Sequence, residues 1–96
     1  MSNVCFVWDE SKEHANKAKH GIGFSLAQEV FDDPNHTTTI DDRFDYGETR
    51  YRTVGMIDGI LVLVVAHTSN DDDSVIRIIS ARKATKEERR RYEQRR

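Results

Sequence analysis

Seven apolar residues in a row, Ile60-Leu-Val-Leu-Val-Val-Ala66, stand directly behind an Asp58-Gly59 pair, and no other feature constrains the fold of this chain so strongly. The run is far too short to cross a bilayer. It suits a strand, and its near-continuous apolar character suits one whose middle is covered on both faces at the centre of a sheet. Asp-Gly is a strong signal for a type I′ turn, because both central residues of that turn need positive φ. The alternating segment Arg50-Tyr-Arg-Thr-Val54, continuing through Gly55-Met-Ile57, is therefore predicted to be the antiparallel neighbour of the central strand.

Elements on either side complete the plan. Val4-Cys-Phe6-Val-Trp8 reads as a short strand ended by Asp9, a good helix N-cap. Residues 10–20 read as a largely polar helix, with Ala15 and Ala18 as small apolar contacts and Lys19-His20 in a last turn closed by Gly21. Ser25 is predicted to cap a second helix carrying the stripe Leu26, Ala27, Val30 and Phe31. Asp32-Asp33-Pro34 ends it, since the residue before proline avoids helical geometry. Thr37-Thr-Thr-Ile40 is β-branched throughout, and a polar loop from Ser69 to Ser74 leads into a strand over Arg77–Arg82. Thr85 with Glu88 forms a complete capping box for a terminal helix. The order β-α-α-β-β-β-β-α, in 96 residues without repeat or linker, predicts one α+β domain over 1–96 with a meander sheet.

Charge is distributed unevenly. From Ile76 to Arg96 there are nine Lys or Arg against three Glu, whereas the 75 residues before carry six basic and 14 acidic side chains. The positive end is a strand with arginines among apolar residues, followed by an Arg-rich helix. Guanidinium groups fixed on a strand suit phosphate recognition, because the planar fork matches phosphate oxygens and keeps its charge. With a pI near 6.1, contact with a polyanion is predicted to be focal and not a general coat. The single cysteine, Cys5, excludes an internal disulfide and a paired-cysteine metal site. Asp71-Asp-Asp73 and Asp41-Asp42-x-x-Asp45-x-x-Glu48 read as a solvated turn and a solvated loop, with Glu48 bracing Arg50; three adjacent acids cannot all point at one ion. No cofactor is predicted. The start, Met1-Ser-Asn-Val with Asp9-Glu10 interrupting the apolar run, lacks the form of a signal peptide, so a cytoplasmic chain without a membrane role is expected.

A family resemblance runs from Phe6 to about Glu93. It is carried in order by Phe6-x-Trp8-Asp9-x-x-Lys12, Asn16-x-x-Lys19-His20-Gly21, Phe24 and Val30-Phe31-x-Asp33-Pro34. Gly47-Glu48-x-Arg50, Gly55, Val65-x-His67-Thr68, Arg77-Ile-Ile-Ser80-Ala-Arg82-x-Ala84 and Glu88-Arg89-x-x-Tyr92 continue it. In these pieces the chain resembles the BrnT toxins. The resemblance implies a RelE-like ribonuclease toxin of a type II toxin–antitoxin pair. Its partner would be a BrnA-like antitoxin with a ribbon-helix-helix part, in a 2:2 complex that reaches operator DNA only through the antitoxin. The sequence departs from the family at one point: after His67-Thr68 it reads Ser69-Asn70 and three aspartates, where an arginine is expected on the active face.

RNA cleavage without metal requires activation of the ribose 2′-hydroxyl, stabilisation of the pentacovalent phosphorane and protonation of the leaving 5′-oxygen. Fixed positive donors supply the second and a histidine the first or third. The catalytic candidates are His67, at the end of the central strand, and Arg77 and Arg82 on its predicted neighbour. For each, a structural reading stands alongside: a hydrogen-bonded strand-end histidine, and two ion-paired arginines. In a regular strand Arg77 and Arg82 point to opposite faces, and a bulge near Ser80–Arg82, or delivery of Arg82 from the strand end, would be needed to bring them together. Candidates for RNA contact are Lys19, His20, Arg50, Lys83, Arg89 and Tyr92. Lys19-His20 reads equally as a complement to the helix dipole, Tyr92 as a packing residue, and Arg89-Arg90-Arg91 with Arg95-Arg96 as a solvated face or an antitoxin contact. Two functions follow: a metal-independent ribonuclease held by an antitoxin, and alternatively a catalytically degenerate toxin-like binding module serving antitoxin pairing and operon autoregulation.

Overall fold

A computed structural model describes residues 4–42 and 47–94; Asp45 of the acidic loop and Arg95-Arg96 lie outside the described residues. Strand β1 (Cys5–Val7) leads into α1 (Glu10–His20) and α2 (Phe24–Ala27), which tightens into a 3-10 turn over Gln28–Asp32. Then come β2 (Thr37–Asp41), β3 (Arg50–Ile57), β4 (Leu61–Ser69), β5 (Val75–Lys83) and α3 (Lys86–Gln94). The strands form one sheet in the order β1-β5-β4-β3-β2. From β2 to β5 neighbours are antiparallel, but β1 lies parallel to β5, with Phe6 beside Ile76. The sheet is therefore mixed, not a meander throughout. The chain leaves β1 through helices, and a helical crossover is the connection that parallel neighbours need.

The Asp58-Gly59 turn forms, with φ of 55° and 70° at the two residues. Ile60 belongs to the turn and not to the strand: it is 73% exposed, and the ladder starts one residue later, at Ile57 opposite Leu61. At its other end β4 runs on to Ser69, so His67 and Thr68 lie inside the sheet. Paired residues share a face. The inner face carries Leu63, Val65 and His67 of β4 with Tyr51, Thr53, Gly55 and Ile57 of β3. Ile22, Phe24, Ala27 and Val30 pack there, together with Ile78 and Ala81 of β5. The fit is closest at Gly55, where a Cβ would stand 2.8 Å from the Val30 carbonyl oxygen. Val62 and Val64 on the outer face are buried too, on the side to which α3 returns. The buried Tyr92 donates its hydroxyl to Asp33, and Arg89 donates to the Ile60 carbonyl at 2.7 Å.

The caps follow the sequence at two helices and depart from it at the third. Asp9 accepts the Ser11 and Lys12 N–H groups, Gly21 closes α1 at φ 74°, and Thr85 and Glu88 bond reciprocally at 2.8 and 3.1 Å. Ser25 is not a cap. Gly23 holds that position, and Glu13 of α1 accepts the Phe24 N–H at 3.1 Å instead.

Two features of β5 fix its position. Ala66 pairs with Ser80 but His67 with Ile78, so Ile79 is an extra, unpaired residue, a β-bulge. β1 pairs only as far as Arg77, which leaves the edge of β5 open beyond it. There the buried Asn16 of α1 substitutes for a strand: its amide donates to the Ala81 carbonyl at 2.9 Å and accepts the Ala81 N–H at 3.1 Å, with a further bond to the Ile22 carbonyl at 2.9 Å. Leaving a buried backbone group unpaired costs about 1–3 kcal/mol. Asn16→Ala is therefore expected to lower the unfolding free energy in urea by about 2–4 kcal/mol. A loss below about 0.5 kcal/mol, the range of surface changes, would show that the amide does not hold α1 to the sheet.

Candidate nucleic-acid interface

The bulge at Ile79 settles the orientation of the arginines. Arg77 pairs with Thr68 and Arg82 with Val64, both outer-face positions of β4, so the two share the outer face although they are five residues apart. On β3, Arg52 pairs with Ala66, and Arg50 stands two residues away on the same face. Four arginines from two strands, Arg50, Arg52, Arg77 and Arg82, thus converge on one side of the sheet.

Two carboxylates hold part of this set. Glu48 accepts from Arg77 at 2.9 and 3.0 Å and lies 3.8 Å from Arg50, so its principal partner is Arg77 and not the Arg50 predicted from sequence. Glu88 takes the Arg82 fork at 2.7 and 3.0 Å while completing the α3 capping box. The Arg82 hydrogen bonds outweigh partial burial and, with the Thr85 N–H, hold the Glu88 carboxyl down at about 2. Arg52 makes no hydrogen bond or ion pair among the described residues. It faces a cavity of about 130 Å³ shared with Arg91, Thr37, Thr39 and Tyr92. Glu88 lines the same space with its carboxylate turned to Arg82, and Arg91 is paired with Glu87, so Arg52 with the Thr37 and Thr39 hydroxyls is the part of the lining suited to phosphate oxygens.

His67 is elsewhere. It belongs to the inner face, is 3% exposed, and stacks on Tyr51 with the edge of Phe31 against it. Its Nε2 meets the Thr53 hydroxyl at 2.7 Å, which in turn meets Thr38 at 2.7 Å. Burial pushes its pKa below the ordinary histidine value, with the Thr68 backbone and Asp73 opposing. The structure does not bring His67 to Arg77 and Arg82. Position 67 has inner-face parity, and a full sheet thickness separates it from them.

The other candidates divide similarly. Tyr92 is buried, and its hydroxyl, with the Met56 and Asn35 N–H groups, keeps the Asp33 carboxyl low against the opposing effect of burial; it is a packing residue. Lys19 and His20 end α1, in the layer on the inner side of the sheet, away from the arginines. Lys83 pairs with Leu63, so it has inner-face parity, and its side chain is exposed at the strand end. Arg89 is engaged by the Ile60 carbonyl and by Glu93 at 3.2 Å, and Arg91 pairs with Glu87. Asp41 is not in a solvated loop; it is buried in β2 opposite Arg50. Asn70 builds the turn before β5, bonding the Val75 N–H at 2.9 Å and the Ser74 hydroxyl at 3.1 Å. Arg52 was not singled out from sequence, yet its period-two spacing from Arg50 was the available signal. Among the described residues no group of three His, Cys, Asp or Glu is placed to hold a metal ion, and no helix is long and apolar enough to cross a membrane.

Comparison with known proteins bears on this geometry. The family model described as the ribonuclease toxin BrnT of type II toxin–antitoxin systems matches residues 8–88. The chain belongs to the BrnT family. The crystal structure of the Brucella abortus ribonuclease toxin BrnT, at 1.1 Å resolution, superposes with a TM-score of 0.63 at 25% identity, covering 86% of this chain and 99% of that one. No curated protein matches the sequence. The α+β fold is thus a BrnT fold, and the activity class of the family is that of a ribonuclease toxin with an antitoxin partner.

The Arg82–Glu88 pair has a pH signature. A carboxyl held at about 2, against an ordinary 4.5, stabilises the fold above pH 4.5, and that stability is lost as pH falls toward 2. Glu88→Gln is expected to cost about 1–2 kcal/mol at pH 7 and to flatten this acid limb. Melting temperatures recorded from pH 6 to pH 2 check it; parallel curves for the two proteins would contradict it.

Proposed function

We propose that this chain is a RelE-like, metal-independent endoribonuclease that lays RNA across the outer sheet face and arrests growth when released from its antitoxin. The observation that carries this reading is the convergence of Arg50, Arg52, Arg77 and Arg82 on one face of a chain in a ribonuclease-toxin family. Arg52, without a partner among the described residues, and Arg77, oriented by Glu48, are the cations for the scissile phosphate. Attack of the 2′-oxygen on phosphorus concentrates negative charge on the equatorial oxygens, which fixed guanidinium groups stabilise without reorganisation. Glu48 is the carboxylate this face offers as acceptor of the 2′-hydroxyl proton. Solvent water protonates the departing 5′-oxygen and Glu48 returns its proton to solvent, leaving a 2′,3′-cyclic phosphate and a 5′-hydroxyl. His67 has no place in this step; it is a buried positioning residue.

The antitoxin of this reading is a BrnA-like ribbon-helix-helix protein in a 2:2 cytoplasmic complex, and its contact covers the arginine face, where charge complementarity speeds encounter. One observation favours the second reading, a binding module without cleavage. Asn70 stands where the resemblance leads one to expect an arginine, and here it is consumed in a turn.

One experiment separates the two. Antitoxin-free protein should cut RNA in EDTA, leaving cyclic or 3′-phosphate ends, and Arg52→Ala and Arg77→Ala should each slow cleavage by roughly 10²-fold. Strict dependence on added Mg²⁺ with 3′-hydroxyl products would overturn the mechanism. Soluble wild-type protein that neither cuts RNA nor arrests growth would establish the binding module.

A further inference from the structure

Two cavities meet at the end of the sheet where β4 and β5 part. The first is a groove of about 700 Å³ on the outer side, lined by Glu48, Thr68 and Arg77 and reaching Tyr51, Ser69 and Asp73. The second is a cavity of about 340 Å³ on the inner side, lined by Phe31, His36, Tyr51, His67, Ser69 and Asp73. Tyr51, Ser69 and Asp73 line both, so the arginine face continues around the strand ends into an aromatic recess. Its volume is at the small end for ligand sites, the range of a single ring system.

The recess and groove differ in chemistry. Phe31, Tyr51, His36 and His67 line the recess with rings packed against one another, and the ring surface they leave toward the cavity is of the kind on which unstacked bases are bound in single-stranded RNA. Stacking alone accepts any base, so discrimination must come from polar atoms at the ring edge. Two residues that carry such atoms line the recess. Asp73 accepts the Ser69 hydroxyl at 2.6 Å through one carboxylate oxygen, and its other oxygen has no partner among the described residues. The Nδ1 of His67 is buried beside the Thr68 backbone and makes no hydrogen bond of ordinary geometry among the described residues. A carboxylate only accepts hydrogen bonds. It repels phosphate and matches a base edge rich in N–H donors. Guanine, with a ring N–H beside an exocyclic amino group, is that base. The polarity of the groove thus orients a nucleotide, phosphate toward Arg77 and base toward Asp73.

We propose that the recess formed by Phe31, Tyr51, His67 and Asp73 is a guanine-binding subsite that selects where RNA is cut. This rests on the ribonuclease reading, and the test keeps the two apart. The first arm needs no catalysis: guanosine monophosphate and cytidine monophosphate are titrated into wild-type protein while the His67 imidazole resonances are followed by NMR. The guanine nucleotide should shift His67, the cytosine nucleotide should not, and Asp73→Asn should weaken the response about tenfold, the loss of one charge-assisted hydrogen bond. Asparagine tolerates the left-handed φ of 59° at this position, so the variant is expected to fold. The second arm compares oligoribonucleotides that differ only in guanine or inosine at one site; cutting should weaken at inosine in the wild type and lose that difference in Asp73→Asn. Cleavage without base preference and with His67 unmoved would overturn the subsite and leave the ribonuclease standing. A His67 response to guanine without any RNA cleavage would uphold the recess as a guanine site and sink the ribonuclease reading. A response to the free nucleotide, with cleavage indifferent to guanine, would overturn its role in RNA selection.

Discussion

The bulge at Ile79 is the constraint on which the rest of this molecule depends. On its N-terminal side, β5 sends Ile76 and Ile78 inward; beyond it, the inward residue is Ala81. Without the extra residue, strand alternation would turn Arg82 toward the helices and bring Ser80 into the core. A guanidinium among Phe24, Leu63 and Val65 would lose its hydration with no carboxylate to replace it, at a cost of several kcal/mol. The inserted residue avoids that cost and delivers Arg82 to the face that already holds Arg77. It also sets the Ala81 backbone against Asn16, so that one irregularity positions both the arginines and the first helix.

The arginine face combines guided and free cations. Glu48 and Glu88 orient Arg77 and Arg82 by bidentate contact, at the cost of local neutralisation. Both pairs are partly exposed, so solvent screens their Coulomb attraction. Glu88 has a second duty as the capping residue of α3, which couples the docking of that helix to the direction in which Arg82 points. Arg52 completes the set as a guanidinium with no partner among the described residues, beside the small cavity that α3 roofs.

What was legible in the sequence was what local physics decides. The Asp58-Gly59 turn, the two-sided cover of β4, the Asp9 cap and the Thr85–Glu88 box each depend on a few neighbouring residues, and each forms. What was not legible depends on distant partners. The place of β1 beside β5 is a choice of sheet edge, and nothing in Cys5–Val7 encodes it. Ser25 had the chemistry of a cap, but Glu13, on another helix, reaches the Phe24 N–H first. His67 had the chemistry of a catalyst, and its parity with Val65 and Leu63 places it inside. The bulge did leave a trace: apolar residues at 76, 78, 79 and 81 break the period of two between Ile78 and Ala81. That break places Arg77 and Arg82 on one face before any coordinates are known.

A net charge of −2 does not oppose action on a polyanion, because the field at a binding face is local. At physiological salt a charge is screened over about 8 Å, so the carboxylates of α1 and of the 3-10 turn, on the far side of the sheet, contribute little to the field above Arg52 and Arg77. They do matter to everything else. An acidic exterior discourages indiscriminate binding of nucleic acid and confines attraction to the one face where guanidinium groups outnumber carboxylates. The aspartates from Asp71 to Asp73 then mark the end of that face, and under the proposed ribonuclease reading they would leave a strand of RNA one favourable direction in which to lie.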